Sequence, residues 1–192
     1  MRSIYVLGLG LALTVTACNE PTENQETETA TAEPQSPPAS KLNSEGTQQL
    51  IAVLSDYYKL KDALVATDGT EASVAGESLA KSAASLQMEM VSDSANGSAL
   101  APSLDTISKS SLTISQTDPG DVEAMRTAFE KVSDHMYLLL QNAELKNAGV
   151  YQQYCPMAFD DKGAYWLSSE TEIRNPYFGK MMLSCGEVTD SL

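Results

Sequence analysis

The sequence predicts an all-α protein: an antiparallel four-helix bundle with a long, irregular C-terminal segment, rich in aromatic, cysteine and methionine residues, packed on it. Three observations lead there. Between Leu42 and Leu145 apolar residues recur three and four apart in successive stretches, the spacing of one helix face. Thr67-Asp68-Gly69, Asn96-Gly97 and Asp118-Pro119-Gly120 separate those stretches, and short breaks of this kind return a chain to an antiparallel neighbour. After Leu145 come Gly149, Pro156, Gly163, Pro176, Gly179 and Gly186, too frequent for another long helix. No repeat with a period of about 20–50 residues suggests a solenoid.

The chain begins with Met1-Arg2, a short positive start, followed by an almost unbroken apolar run from Ile4 to Val15. That run is shorter than the about 20 residues a membrane-spanning helix needs, and it has the size of a secretory signal core. It ends in Val15-Thr16-Ala17-Cys18, which resembles the bacterial lipoprotein box, where the cysteine takes lipid on sulfur and becomes the new amino terminus. Residues 1–17 are therefore expected to be a signal peptide, and Cys18 the lipidation site that holds the protein to a membrane. Residues 18–40 follow as a tether, with five glutamates among Thr, Gln and Pro and no large apolar residue after Cys18. Such a segment cannot offset its ordering entropy by burial. The folded domain is placed at residues 41–192.

The first helix, about Ser44 to Ala66, carries Leu50, Leu54, Tyr57, Tyr58, Lys61 and Leu64 on one stripe. Ala75, Leu79, Ala83, Leu86 and Met90 mark a second, expected to end near Asn96-Gly97. A short third helix around Pro102 to Ser115 rests on Leu104, Ile107, Ser111 and Ile114. In the fourth, Val122, Met125, Phe129, Val132, Met136, Leu139 and Ala143 alternate without a slip, the spacing of a bundle seam. Asp118-Pro119-Gly120-Asp121 reads as its cap, with proline at the first helical position. Residues 146–192 hold Tyr151, Tyr154, Phe159, Tyr165, Trp166, Tyr177 and Phe178, and a segment so aromatic is expected to fold against the bundle.

The balance of charge excludes whole classes of function. The chain has 12 Lys and Arg against 26 Asp and Glu, a net charge of −14. A nucleic-acid-binding face needs the opposite surplus, so no nucleic-acid partner is expected. Electrostatic docking on anionic lipid is disfavoured for the same reason. With one histidine in the chain, a Ser-His-Asp triad or a multi-histidine zinc centre is not expected. The sequence also lacks a Gly-rich phosphate loop, a GxSxG elbow and an HExxH motif. Asp160-Asp161-Lys162-Gly163 lacks the spaced acids of a calcium loop and reads as a turn. The protein is not expected to be an enzyme.

Two short stretches carry soft donors: Cys155-Pro156-Met157 and Met181-Met182-Leu183-Ser184-Cys185. Thiolates and thioethers select soft ions, and thioethers favour Cu(I) in particular. Cys155, Met157, Met181, Met182 and Cys185 are thus candidate ligands, with His135 on the fourth helix as a possible addition. The same residues admit a plainer reading. Cys155 and Cys185 can instead form a disulfide, worth about 3–4 kcal/mol in the chain-entropy model for a loop of about 30 residues. Met88, Met90, Met125 and Met136 sit on helical stripes and read as core. His135, beside a seam position, also fits an ordinary side chain.

Tyr154-Cys155-Pro156-Met157-Ala158-Phe159, Lys162-Gly163-Ala164-Tyr165-Trp166-Leu167-Ser168, Ile173-Arg174-Asn175-Pro176-Tyr177-Phe178-Gly179 and Leu183-Ser184-Cys185-Gly186 together resemble one uncharacterised family of bacterial extracytoplasmic domains. Tyr57-Tyr58-Lys59-Leu60-Lys61-Asp62-Ala63-Leu64 and Arg126-Thr127-Ala128-Phe129-Glu130-Lys131-Val132-Ser133 resemble its first and last helices. The likeness runs over about residues 45–188. Members occur as lipoproteins and also fused to CusB-type adaptor subunits of heavy-metal efflux pumps. The resemblance implies a helical domain in the bacterial envelope, facing the periplasm or the exterior, that handles copper or silver. Cys155, Met157 and Cys185 fall on its signature positions, with Met181 or Met182 as a further thioether; His135 does not carry over. The expected function is Cu(I) or Ag(I) binding, for sequestration or for delivery to a CusB-type adaptor. The alternative is a disulfide-stapled interaction module that binds no metal and docks on an envelope partner.

Overall fold

The computed structural model describes residues 36–90 and 94–192, so the expected signal peptide, Cys18 and most of the tether lie outside the described residues. Four helices form the bundle: α1 Ser44–Ala66, α2 Gly69–Met90, α3 Ser94–Gln116 and α4 Val122–Asn142. Each packs against the next in sequence. Asn43 starts α1 by accepting the Gly46 N–H on Oδ1 at 2.7 Å, which satisfies one of the unpaired donors of the first turn. Thr67, in the left-handed region, stops it, and Asp68 donates its N–H back to the Ala63 carbonyl at 2.9 Å. Asp68 then accepts the Glu71 N–H at 3.0 Å and so opens α2. This corner needs glycine at 69, because a Cβ there would overlap the Pro119 carbonyl of the α3–α4 connection.

The expected seams are the observed core. Leu50, Tyr57, Leu64, Leu79, Leu86, Leu104, Ile107, Ile114, Phe129, Val132 and Met136 are fully buried. Lys61 is buried as the stripe requires; its ammonium reaches Asp62 at 2.8 Å and lies 5.8 Å from the Tyr58 ring centroid. Two boundaries differ from expectation. The third helix is long, beginning eight residues before Pro102, and Asn96-Gly97 lies within its first turn rather than at the end of α2. Burial of Leu100 and Leu104 against the bundle outweighs the local breaker signal. The cap of α4 is Asp121, whose carboxylate accepts the Ala124 N–H at 3.1 Å. Asp118 instead makes a turn ahead of it, accepting the Gly120 N–H at 2.7 Å.

The segment after α4 is less irregular than its glycines and prolines suggest. It contains β1 Tyr151–Cys155, β2 Ala164–Ser168 and β3 Glu187–Ser191, an antiparallel sheet in the order β2-β1-β3. Tyr154 pairs with Tyr165 on one side and Glu187 on the other, and Cys155 pairs with Ala164. Aromatic and branched residues favour a pleated, half-buried surface, and here the glycines mark the corners between strands. β2 lies against α4. α1 and α4 approach less closely than the sequential pairs, and an aromatic layer occupies this seam. Tyr57 stacks on Phe129 at 5.3 Å, Phe129 meets Tyr177 at 5.9 Å, and Trp166 stands edge-on to Tyr177 at 6.0 Å. One hydroxyl joins bundle to sheet. The Leu167 N–H donates to the Tyr57 oxygen at 2.9 Å, leaving the phenol hydrogen to reach Ser133 Oγ at 2.8 Å.

The folded part reaches back to Ala39. Its N–H and carbonyl exchange hydrogen bonds with those of Lys146 at 3.1 and 2.8 Å, and the Lys41 N–H donates to the Ala143 carbonyl at 2.9 Å. Among the described residues no helix is long and apolar enough to cross a membrane.

Candidate functional site

Two chain segments, one on each side of β2, converge on a single cleft. The first leaves β1 through Cys155-Pro156-Met157 and turns at Ala158–Asp161. Phe159, Asp160 and Asp161 all have positive φ, at 52°, 55° and 63°. A left-handed residue other than glycine costs about 1–2 kcal/mol, so three in succession need external support. The Gly163 N–H donates to the Ala158 carbonyl at 2.9 Å, and Lys162 pairs with Glu130 of α4 at 2.7 Å. That ion pair raises the lysine pKa, first through the hydrogen bond to Glu130. Phe159 packs edge-on to Tyr177 at 5.2 Å.

The second segment is organised by Asn175, which is fully buried. Its Oδ1 accepts the Tyr177 and Phe178 N–H groups at 2.8 and 3.3 Å, and its Nδ2 donates to the Cys185 carbonyl at 2.8 Å. Its own N–H donates to the Leu183 carbonyl at 2.8 Å. Arg126, buried in α4, holds the same segment from below. Its Nε donates to the Pro176 carbonyl at 2.9 Å and its Nη2 to Thr67 and to the Leu64 carbonyl at 3.1 and 3.3 Å. Gly179 follows with φ +55°, where a Cβ would overlap Thr67 Oγ1 and stand 2.9 Å from Arg126 Nη2. The short turn Gly179–Met181 then presents the two methionines.

Met157, Met181 and Met182 line one cleft of about 570 Å³. Phe159, Tyr177 and Phe178 form its apolar wall, and Glu123, Asp160 and Asp161 add carboxylates. Met157 is 48 % exposed and Met181 75 %, so both residues meet solvent. The Glu123 carboxylate is fixed by Arg126 Nη1 at 2.6 Å. Tyr177 is buried, its hydroxyl donating to the Tyr165 carbonyl at 2.5 Å; burial first, and then neighbouring Tyr57, raises its pKa. The wall of the cleft is thus neutral and apolar, the donors are thioethers, and the added charge is negative.

Cys155 and Cys185 are joined as a disulfide, with Cα atoms 5.7 Å apart. Of the two states the sequence leaves open, this is the oxidised one, in which neither sulfur is a thiolate. The bond lies between the two methionine-bearing segments: Met157 is two residues beyond Cys155, and the Cys185 N–H donates to the Met182 carbonyl at 3.1 Å. His135 does not join them. It stands twelve residues along α4 from Glu123, about 18 Å at the helical rise, half-buried, with Nδ1 lacking a hydrogen-bond partner. Met90, Met125 and Met136 are core, as their stripes predict, whereas Met88 is 77 % exposed on α2. Cys18 lies outside the described residues. Among the described residues no three His, Cys, Asp or Glu side chains come together as a metal cage.

The inward-turned guanidinium of Arg126, the organising amide of Asn175 and the carboxylate of Glu123 at the cleft have no signature in local spacing. An arginine three residues from a glutamate on a helix is a legible pair, but nothing in that spacing says the guanidinium turns inward. The aspartates of the left-handed turn were readable only as a turn.

No curated protein and no solved structure matches the chain. A family model described as a protein of unknown function, DUF3347, matches residues 53–148. The match begins in α1, spans the rest of the bundle and stops before β1, so Cys155, the cleft methionines and Cys185 all fall beyond it. With half of its residues matched, the chain belongs to the DUF3347 family of proteins of unknown function.

Proposed function

We propose that the protein binds soft monovalent ions, Cu(I) or Ag(I), in the cleft of Met157, Met181 and Met182, and holds them or passes them to an efflux system. The observation that carries this reading is the convergence of three thioethers, from segments 24 residues apart in sequence, on one solvent-open cleft. Thioethers do not titrate and are poor ligands for Zn(II), Mg(II) or Ca(II), so such a donor set favours Cu(I) and Ag(I). The carboxylates of Glu123, Asp160 and Asp161 attract a cation without being soft ligands. The strained left-handed turn at 159–161 supports the same assignment, since strain of this kind concentrates at functional positions. The ion is cargo on this reading, and no residue is given a catalytic role. Lipid attachment through Cys18, a place in the bacterial envelope and a CusB-type adaptor as recipient remain part of the proposal, resting on the sequence resemblance.

The disulfide favours a second reading, in which the C-terminal segment is a stapled surface that docks on an envelope partner and binds no ion. One titration separates the two. Cu(I) is added anaerobically to the full chain against a chromophoric competitor, beside Met157→Leu/Met181→Leu/Met182→Leu. Near-stoichiometric binding weakened roughly tenfold or more in the triple variant, about 1.4 kcal/mol or more, supports the cleft. Equal binding by both proteins, or none by either, removes the thioether site and leaves the docking surface.

A further inference from the structure

The Cys155–Cys185 bond joins residues 30 apart in sequence, yet the fold already holds its two ends together. Tyr154 and Glu187, which flank the pair, are ladder partners between β1 and β3. Cys155 is paired with Ala164 across β1 and β2. Asn175 holds the other end through the Leu183 and Cys185 carbonyls, both at 2.8 Å. None of these bonds involves a sulfur. Breaking the disulfide in the folded protein therefore leaves the backbone ties of both cysteines in place, with Met157 two residues beyond Cys155 and the Cys185 N–H bonded to the Met182 carbonyl at 3.1 Å. Access to the two sulfurs differs: Cys155 is fully buried, whereas Cys185 is half-buried and follows the exposed pair Leu183-Ser184. A thiolate must reach a disulfide sulfur to attack it, and here one of the two residues is within reach.

We propose that Cys155–Cys185 is an exchangeable redox pair that sets how firmly the cleft keeps its ion, opened by a dithiol reductant at Cys185. The reductant's first thiolate forms a new S–S bond to Cys185 Sγ as the Cys155–Cys185 bond breaks, and Cys155 leaves as a thiolate. The reductant's second thiolate then attacks the mixed disulfide, releasing Cys185 as a thiolate. Two electrons pass to the protein, and the reductant departs as its own disulfide. The oxidised protein offers the thioethers of the cleft alone, and reduction frees two thiolates close in the chain to Met157 and Met182, which hold Cu(I) or Ag(I) more firmly. The retention step rests on the soft-ion reading of the cleft; the exchange step does not.

The test uses the full chain carrying Cys18→Ser, so that two sulfurs report. Trp166, the single tryptophan, has its ring against Gly186, next to Cys185, and its fluorescence reads the state of the bond in a dithiol redox buffer. A reversible change with the circular dichroism of helices and sheet retained is expected. A dithiol reductant whose resolving cysteine is replaced by serine should be trapped as a mixed disulfide on Cys185, located by peptide mass spectrometry. Ag(I) should bind the reduced protein roughly tenfold or more tightly than the oxidised one. Loss of the folded spectrum on reduction, or trapping on Cys155, overturns the exchange. Equal silver affinity in both states overturns the retention step. Silver bound by neither state overturns the soft-ion reading with it, while the trapping result still decides the exchange.

Discussion

Replacing Tyr57 by phenylalanine tests whether one hydroxyl couples the bundle to the sheet. The substitution keeps the ring, and with it the 5.3 Å stack on Phe129. It removes only the oxygen that accepts the Leu167 N–H at 2.9 Å and reaches Ser133 at 2.8 Å. Ser133, on a helix, can turn its hydroxyl to the carbonyl four residues back and lose little. The Leu167 N–H has no such recourse: Leu167 is 1 % exposed and Tyr57 is fully buried, so no water replaces the oxygen. A buried donor left unsatisfied costs about 1–3 kcal/mol. For a domain of this size 1 kcal/mol moves the melting temperature by about 2–4 °C, so a loss near 2 kcal/mol lowers it by roughly 4–8 °C. Thermal denaturation followed by circular dichroism reads this directly, and Ser133→Ala, which orphans the buried Tyr57 O–H in turn, should give a shift of the same order. A Tyr57→Phe melt within about 1 °C of the parent, against the several degrees that an orphaned donor requires, would refute the coupling.

Alkaline titration should unfold the protein through its buried phenols. Burial is the main cause raising the pKa of both Tyr57 and Tyr177. The folded state thus keeps protons that the unfolded state releases; stability is intact below the ordinary tyrosine pKa of about 10 and falls above it, by about 1.4 kcal/mol per pH unit for each phenol. Urea midpoints measured from pH 8 to 11.5 should show that decline, and Tyr57→Phe should make it shallower. Asn175→Ala removes three side-chain hydrogen bonds at a cost of roughly 2–4 kcal/mol, and hydrogen exchange should rise at Tyr177, Phe178 and Cys185 before it rises in the bundle. Gly179→Ala forces a side chain into the left-handed region and onto Thr67, so it should cost about 1–3 kcal/mol, read as a lowered urea midpoint.

The bundle was legible because its cores repeat with the helical period: Val122 to Ala143 can be read as a seam from spacing alone. Residues 94–101 were not, since Asn96-Gly97 is a local breaker and the burial of Leu100 that overrides it is a tertiary fact. The sheet was hidden for a related reason. Its strands are five residues long, so period-two alternation has no length over which to show. At the cleft, the donor residues stood out by type, whereas their meeting depends on Asn175 and Arg126, whose partners are mainly carbonyls that any residue supplies. The state of the two cysteines could not be read from their spacing; it follows from the β1–β3 register, which brings their neighbours together.

The ladder between Ala39 and Lys146 has a mechanical consequence. The chain enters the folded body beside the last turn of α4, where Lys41 meets Ala143, whereas Glu123 at the cleft lies on the first turn of the same helix. Twenty residues of helix separate the two, about 30 Å. The point where the chain enters the folded body and the methionine cleft therefore lie at opposite ends of α4. A pull applied at Ser36 would load the two Ala39–Lys146 hydrogen bonds and the Lys41 amide first, and would pass to the cleft both along α4 and, from Lys146, through β1 to Cys155 and Met157.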